Sequence, residues 1–528
     1  MNSIATVAAY RPALPEQASQ LIESLQKAVA LIEGSPQPGV YAFAWYEHKQ
    51  TKMVEARRNI STSVDGDSGI VLRAYVGGVH IEKATNTINP ETILRSAQQL
   101  RAQIDALAVQ TRSEEYEPTT WSQEIAHGLP QDIQQQLPEN LDATTPVHFA
   151  PQCRQRFEDI NLDSLVEMAT TFRQKILSLS TRAVEEESVY KPLADAMVML
   201  RFKTTTHIFV DREKTLSQVL PVSMLNAMGM TASGQMARIS DGGMGTFELI
   251  QFDEDKLHEL AITPLELSQA PKLPAGRYQV ITGPGISGVI AHEAFGHTQE
   301  GDTWMKGRSI ATRLREEGVR VGNDQATIMN NPALYQMDGM AAGSNGSYYF
   351  DHEGQLARPQ AILDKGYLST PMTDLTSANE LEVARTANGK RESWRRPLMS
   401  RQTNTYFTPG DKSLGELISM VQDGFLAVHP FGGMEDPKGG SLTVGAAYFE
   451  EIKDGVLTGQ KYLGPAGGHI EITDSVFDIL DRIVAKTKVD ADHQIPKTQL
   501  GGCGKYHKEL VDAGVGGPYI LWESVACG

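Results

Sequence analysis

Two histidines and a glutamate stand together in the stretch VIAHEAFGHTQEGD, which begins at residue 289. Imidazole nitrogens bind metal ions, and a carboxylate beside them can take a proton from a metal-activated water. On a regular helix two histidines share a face when they are four apart, because ~100° per residue brings them back within ~40°. Here His292 and His297 are five apart, with Glu293 directly after the first. That offset puts them ~140° apart on a regular helix, too far round to hold one ion. Two local devices remove the obstacle. A π-bulge aligns residue i with i+5; alternatively the helix ends at Gly296, whose freedom at positive φ lets His297 swing back. The competing account is a buried helix with two hydrogen-bonded histidines. Glu300 and Asp302, one turn on, either orient the histidines from behind or form a solvated helix exit.

A catalytic zinc site needs typically three protein ligands and an open position for water. His48, His127 and His258 lie in polar contexts typical of surfaces. Cys503, in TQLGGCGKYHKEL, has glycines on both sides, so its loop can approach a site closely and offer a thiolate. The same pattern also suits a small apolar residue packed in a turn. His507 is the other candidate ligand there, and as a fourth ligand it would close a purely structural site. Cys153 and Cys527 read as bystanders.

Two other patterns compete for a role. Gly283-x-Gly285-x-x-Gly288 matches a dinucleotide fingerprint, which requires a second strand ending in an acid ~20 residues on. The sequence there, DTWMKGRSIATRLREEG, is polar and unlike a strand, so the glycines are expected to let the helix pack closely. NGKRESWRRPLMSRQTNT gathers Arg391, Arg395, Arg396 and Arg401. It is either a solvated strand face or the wall of a peptide groove, with Arg391, Arg401 and Asn404 as candidate substrate contacts and Tyr406 as a further donor.

These residues must be positioned by a chain of 528 residues, too long for one core. Residues 15–34 and PETILRSAQQLRAQIDALA have helical spacing, and between them the chain alternates as antiparallel strands do. The reading is α+β: a smaller N-terminal α/β domain over 1–110, a polar connector over 111–160, and a larger β-rich C-terminal domain over 161–528 that carries the HExxxH helix. A net charge of −17 argues against a general nucleic-acid or anionic-membrane binder. Three cysteines form no disulfide framework and fit a reducing compartment. There is no basic, apolar leader and no stretch of roughly 20 apolar residues, so a cytoplasmic protein is expected.

With these motifs in hand, the chain resembles the TldD/PmbA family of metallopeptidases. GPGISGVIAHEAFGHTQEGD is similar to the family's glycine loop and HExxxH helix. GSNGSYYFDHEGQ, ILDKGYLSTPMTDLTSANEL and TANGKRESWRRPLMSRQTNTYFTPGD follow in family order. NISTSVDGDSGIVLRAYVGG looks like its N-terminal domain, so the likeness covers roughly residues 20 to 528. The resemblance implies a zinc peptidase with the metal on His292, His297 and Cys503 and with Glu293 as general base; iron is the alternative metal. The histidine motif points to the TldD-type, catalytic member. The family also implies a dimer, with a second copy or a PmbA/TldE-like homologue, acting on small or unfolded peptides. The rival from another class is a non-catalytic peptide-binding or assembly subunit with a structural metal.

Overall fold

The structure, a computed structural model, describes residues 8–107, 116–186, 189–250, 253–337, 340–341, 343–489, 501–505 and 509–528. Helical spacing over residues 22–33 buries Leu25, Ala28, Val29 and Ile32 on one face and produces α1 (Ile22–Glu33), which ends at Gly34. Three antiparallel strands follow, β1 (Tyr41–Ala56), β2 (Ile60–Val76) and β3 (Val79–Thr85). They lead to α2 (Pro90–Asp105), where the Asn89 side chain accepts the Thr92 N–H and Pro90 takes the first helical position.

The next elements are β4 (Pro146–Phe149), α3 (Leu162–Glu186), β5 (Asp195–Val210), β6 (Thr215–Met230), β7 (Met236–Met244) and α4 (Glu254–Leu267). The strands form one sheet in the order β3-β2-β1-β5-β6-β4, with β7 also on β6. This moves the expected domain boundaries. β5 lies against β1 along its length, from Ala44–Val210 to Ala56–Val198, and β4 of the expected connector pairs in parallel with β6. The N-terminal unit therefore does not stop at residue 110 but includes the strands up to Met244. Period-two alternation reveals a strand but not its partner, and here the second partner of β1 follows three other strands and four helices along the chain.

Alternation within β1 explains the layering. Ala42, Ala44 and Tyr46 share a core with α1 and α2, and Val54 and Ala56 share one with α3 and α4. Tyr41, Phe43 and Trp45, pointing to the opposite face, pack with Tyr348, Tyr349 and Phe350 from the second half of the chain. Small side chains thus admit the helices on one face, while aromatic ones bind the sheet to the C-terminal unit on the other.

That C-terminal unit opens with β8 (Gly276–Thr282) and α5 (Pro284–Ala291). Its further strands are β9 (Ile328–Asn330), β10 (Gln360–Asp364), β11 (Tyr367–Leu368), β12 (Asn404–Phe407), β13 (Asp423–Asp436), β14 (Ser441–Lys453), β15 (Val456–Tyr462), β16 (Ile470–Ser475), β17 (Gly501–Cys503), β18 (Val511–Gly516) and β19 (Ile520–Cys527). The larger sheet runs β13-β8-β19-β16-β14-β15, and β13 also pairs β14, so the strands close into a ring. The smaller runs β11-β10-β9-β12-β18-β17. The β-rich character expected of this unit is present.

Helix α5 is buried between these sheets. Ile286, Val289 and Ile290 share one core with Val280, Ala427 and Trp522 on one side and Ile328 and Phe407 on the other. A Cβ on Gly288 would stand 2.1 Å from the backbone nitrogen of Gly516, so the helix touches β18 backbone to backbone. This is the work of the glycine pattern. No dinucleotide crossover exists, because the strand after α5, β9, lies in a different sheet from β8. No helix among the described residues is long and apolar enough to cross a membrane.

Candidate metal centre and active-site cleft

Where α5 ends, residues His292–Gly296 form a π-helical turn, followed by a 3-10 turn over His297–Gln299. The wider turn brings i and i+5 onto one side. The two imidazoles lie with ring centres 5.0 Å apart and planes at 86°. Gly296 is required here for space: a Cβ would meet the Gln402 Oε1 at 2.1 Å.

Cys503 arrives through a chain of contacts that begins at the helix. Gly288 presses on Gly516 of β18, β18 runs parallel to β12, and its hairpin partner β17 pairs Cys503 with Val511. The thiol sulfur comes to 3.4 Å from His297 Nε2, and the candidate ligand atoms of His292, His297 and Cys503 all lie within 4.8 Å of one another. Tetrahedral zinc with bonds of ~2.0–2.3 Å would set its donors roughly 3.4–3.6 Å apart. The sulfur–nitrogen separation already has that value. His507 lies outside the described residues.

The surroundings fit a cation. Gln402 donates from Nε2 towards His292 Nε2 and the His292 carbonyl, each at 3.3 Å, and its Oε1 accepts from Thr405 Oγ1 at 2.8 Å. The other ring nitrogen, His292 Nδ1, is buried with no hydrogen-bond partner, which is the demand a metal would meet. Burial alone would raise the Cys503 thiol, but His297 and His292 override it and hold it well below its ordinary value, as a thiolate. His297 is drawn the other way: burial works against its charge, yet Cys503 and Glu300 raise it well above the usual imidazole range. By contrast, burial pushes the Cys153 and Cys527 thiols up to about 12, so neither is poised as a ligand.

Glu300 anchors the far side of the cluster. Its carboxylate is fully buried, accepts from His297 Nδ1 at 3.1 Å, and faces Lys505 Nζ at 2.9 Å and Arg401 Nε at 3.4 Å. Burial opposes its ionisation, but Lys505, His297 and Arg401 outweigh burial and hold the carboxyl well below the usual range. Lys505 also reaches Asp302 at 2.5 Å. Of the two acids in QEGD, Glu300 orients His297, while Asp302 holds Lys505, which faces Glu300.

Glu293 lies outside the candidate ligand set. With His292 and Cys503 it lines a cleft of about 600 Å³, whose opposite wall is built by β7 and α4 of the N-terminal unit. Gly433 of β13 lies against it: a Cβ there would stand 2.9 Å from Glu293 Cγ and 2.4 Å from Val289 Cγ1. Gly433→Ala is therefore expected to displace the glutamate, lowering turnover by up to about 10²-fold while metal content stays that of the wild type. Steady-state kinetics with elemental analysis on the same sample check this.

The expected substrate contacts lie elsewhere. Neither Arg391, Arg401 nor Asn404 lines this cleft. Arg401 is buried behind the cluster, donating to the Cys503 carbonyl at 2.5 Å and the Glu509 carbonyl at 3.0 Å. Asn404 donates to Asn331 O and Ser347 Oγ, each at 2.8 Å. Arg391 pairs with Glu82 across the two units. A run of charges in sequence does not distinguish a groove wall from buried pairs that join two domains.

Sequence reasoning missed the residues that do line the cleft opposite Glu293. Among them, Asp241 of β7 pairs with Lys256 of α4 at 2.6 Å, and Glu259 of α4 meets His429 of β13. It also missed Glu435, whose two carboxylate oxygens are buried without a hydrogen-bond partner. Burial raises the Glu435 carboxyl well above its usual range, His297 opposing and Glu293 and Glu300 adding to the shift. The stretch GGMEDPKGG reads as a turn, so nothing local marked this residue.

Comparison with known proteins gives a family match over the part of the chain that carries these residues. Residues 275–528 match the PmbA/TldA metallopeptidase C-terminal domain. A protein of Methanothermobacter thermautotrophicus named metalloprotease is 30% identical over 310 residues, covering 58% of this chain and 62% of its own. The metalloprotease TldD homolog of Buchnera aphidicola is 30% identical over 280 residues, or 53% of each chain. A shorter match, 33% over 165 residues, covers 31% of this chain and 35% of the zinc metalloprotease TldD homolog of Saccharolobus solfataricus. This chain thus spans about half to three fifths of the length of the first of these relatives. Among solved structures, TldE from Thermococcus kodakarensis aligns with a TM-score of 0.62 at 13% identity, over 96% of this chain and all of that one. A Bacteroides thetaiotaomicron structure aligns with a TM-score of 0.68 at 16% identity, over 98% of this chain and 100% of its own. At such identities these last two show a shared fold.

Proposed function

We propose that this chain is a TldD-type metallopeptidase of the TldD/PmbA family, in which His292, His297 and Cys503 hold zinc and Glu293 is the general base. The match of residues 275–528 to that family's C-terminal domain and the likeness to TldD homologs support this. The observation that carries this reading is the meeting of three donors, one a thiolate on a strand 206 residues beyond His297, at the wall of an open cleft. Zinc bound there would polarise a peptide carbonyl and acidify a water.

The chain's own residues do the rest. Glu293 has no hydrogen-bond partner among the described residues and faces the cleft, so its carboxylate can take a proton from water and return it to the leaving amine. Glu300 holds His297 by Nδ1, which leaves Nε2 for the metal. Arg401 and Lys505 keep Glu300 ionised, and Arg401 fixes the Cys503 carbonyl from behind. The cleft of about 600 Å³ between the two units is the proposed binding place for substrate, and small or unfolded peptides are the substrates proposed. A second subunit, either another copy or a TldE-like homologue, is the proposed partner.

Elemental analysis of purified wild type and Cys503→Ala tests the centre and decides between zinc and iron. About one metal ion per chain is expected in the wild type, the occupancy of a single three-ligand site. The variant should hold almost none. Equal metal in both would remove Cys503 from the site and with it this reading.

A further inference from the structure

Glu435 is a buried acid beside the cluster of His292, His297 and Cys503 that the proposed mechanism does not use. Its place follows from strand register. On β13, Gly433, Met434 and Glu435 pair with Val444, Thr443 and Leu442 of β14. Met434 is 71% exposed, whereas Leu442 and Val444 lie in the core shared with Ala294 and Phe295 of the π-helical turn. Alternation therefore turns Gly433 and Glu435 inwards, towards that turn. Gly433 abuts Glu293, and Glu435, two residues on, brings a second carboxylate to the same side. Although the residue as a whole is only partly buried, both of its carboxylate oxygens are shut from solvent and have no hydrogen-bond partner.

The groups around it do not answer its charge. His297 attracts it, Glu293 and Glu300 repel it, and the Thr298 hydroxyl beside it is also buried outside bonding geometry. The fixed cations of the cluster are committed elsewhere. Lys505 faces Glu300 and Asp302, while Arg401 faces Glu300 and donates to the Cys503 and Glu509 carbonyls. An apolar surface against Leu442 has no use for a carboxylate, and one left there unpaired opposes folding. The region is short of positive charge, because the Cys503 thiolate, Glu293, Glu300 and Glu435 outnumber Lys505 and Arg401.

We propose that Glu435 is a positioning residue of the metal centre, a buried carboxylate whose counter-charge is the cation held by His292, His297 and Cys503. It stands outside the set of three converging donors, so it acts on the ion through its charge and not as a ligand. This role rests on the reading of those three residues as metal ligands and adds a fourth side chain to the centre.

The signature of such a residue is a split between two states. A carboxylate that waits for an ion destabilises the metal-free chain and stabilises the loaded one. A residue that merely holds the core stabilises both alike.

The test titrates the full-length, metal-free chain with zinc in competition with a chromophoric chelator and measures the thermal midpoint with and without zinc. Glu435→Gln is expected to weaken zinc binding roughly tenfold or more. Its metal-free midpoint should stay at or above that of the wild type, so that the rise produced by zinc shrinks. Glu435→Asp keeps the charge on a shorter stem and should recover part of the affinity. Glu435→Leu, which suits the surroundings of Leu442, replaces Glu435→Gln if the latter folds poorly. Glu523→Gln removes an exposed charge on β19 and should leave the affinity unchanged. Wild-type affinity in Glu435→Gln, equal weakening by Glu523→Gln, or an equal fall in midpoint with and without zinc would overturn the proposal and leave the three-donor site standing. No zinc uptake by the wild type, or unaltered uptake by Cys503→Ala, would overturn that site and the role of Glu435 with it.

Discussion

Glu293→Gln is expected to lower peptide hydrolysis by about 10²–10⁴-fold, the usual share of a general base, while metal content and thermal midpoint stay those of the wild type. Glutamine keeps the shape of the side chain against Gly433 but cannot accept the proton. Because Glu293 is not one of the three converging donors, the substitution separates base from ligand. A thiolate donates more charge to a metal than a third histidine would, which acidifies bound water less and places more of the work on the glutamate. Turnover with paired elemental analysis checks both halves. Wild-type turnover in the variant would remove Glu293 from the mechanism; loss of metal together with turnover would make it a ligand.

Glu300→Ala is expected to have the largest effect on stability. The carboxylate is fully buried and faces Lys505, Arg401 and His297. Removing it leaves Lys505 and Arg401 buried with one counter-charge fewer, an imbalance that costs about 3–5 kcal/mol. It also frees His297 Nδ1, and loss of such an orienting carboxylate typically weakens metal binding 10–100-fold. Denaturant melts give the first number and competition with a chelator the second. The double variant Glu300→Gln with Lys505→Met removes one charge of each sign and should recover part of the lost stability without recovering metal affinity. A Glu300→Ala protein as stable as the wild type would mean that the buried charges find other partners or water.

Much of the site was legible because its decisive geometry is local. Histidines five apart can meet only on a widened turn or past a helix end, and the chain adopts the widened turn over His292–Gly296. The glycine pattern before it was ambiguous between a pyrophosphate cradle and close packing until Gly288 was seen against Gly516. Cys503 stood out by its glycine neighbours, but spacing alone left it open between ligand and packed turn residue. Contact between β17, β18 and α5 is what carries it to within 3.4 Å of His297.

What the sequence by itself determined is therefore the short-range part: the amphipathic helices, the alternating strands and the spacing of the HExxxH residues. Each depends on periodicity or on residues within one turn of one another, where backbone geometry leaves few choices. The tertiary structure decided whatever depends on pairing across long separations. β1 finds β5 rather than ending its domain near residue 110. Arg401 sits behind the cluster of His292, His297 and Cys503 and Arg391 reaches across to Glu82, instead of walling a groove. The cleft is formed by β7 and α4 folding over the face that carries Glu293. A charged side chain is written the same way whether water, a buried partner or a substrate neutralises it, and only the assembled sheets determine which of these it meets.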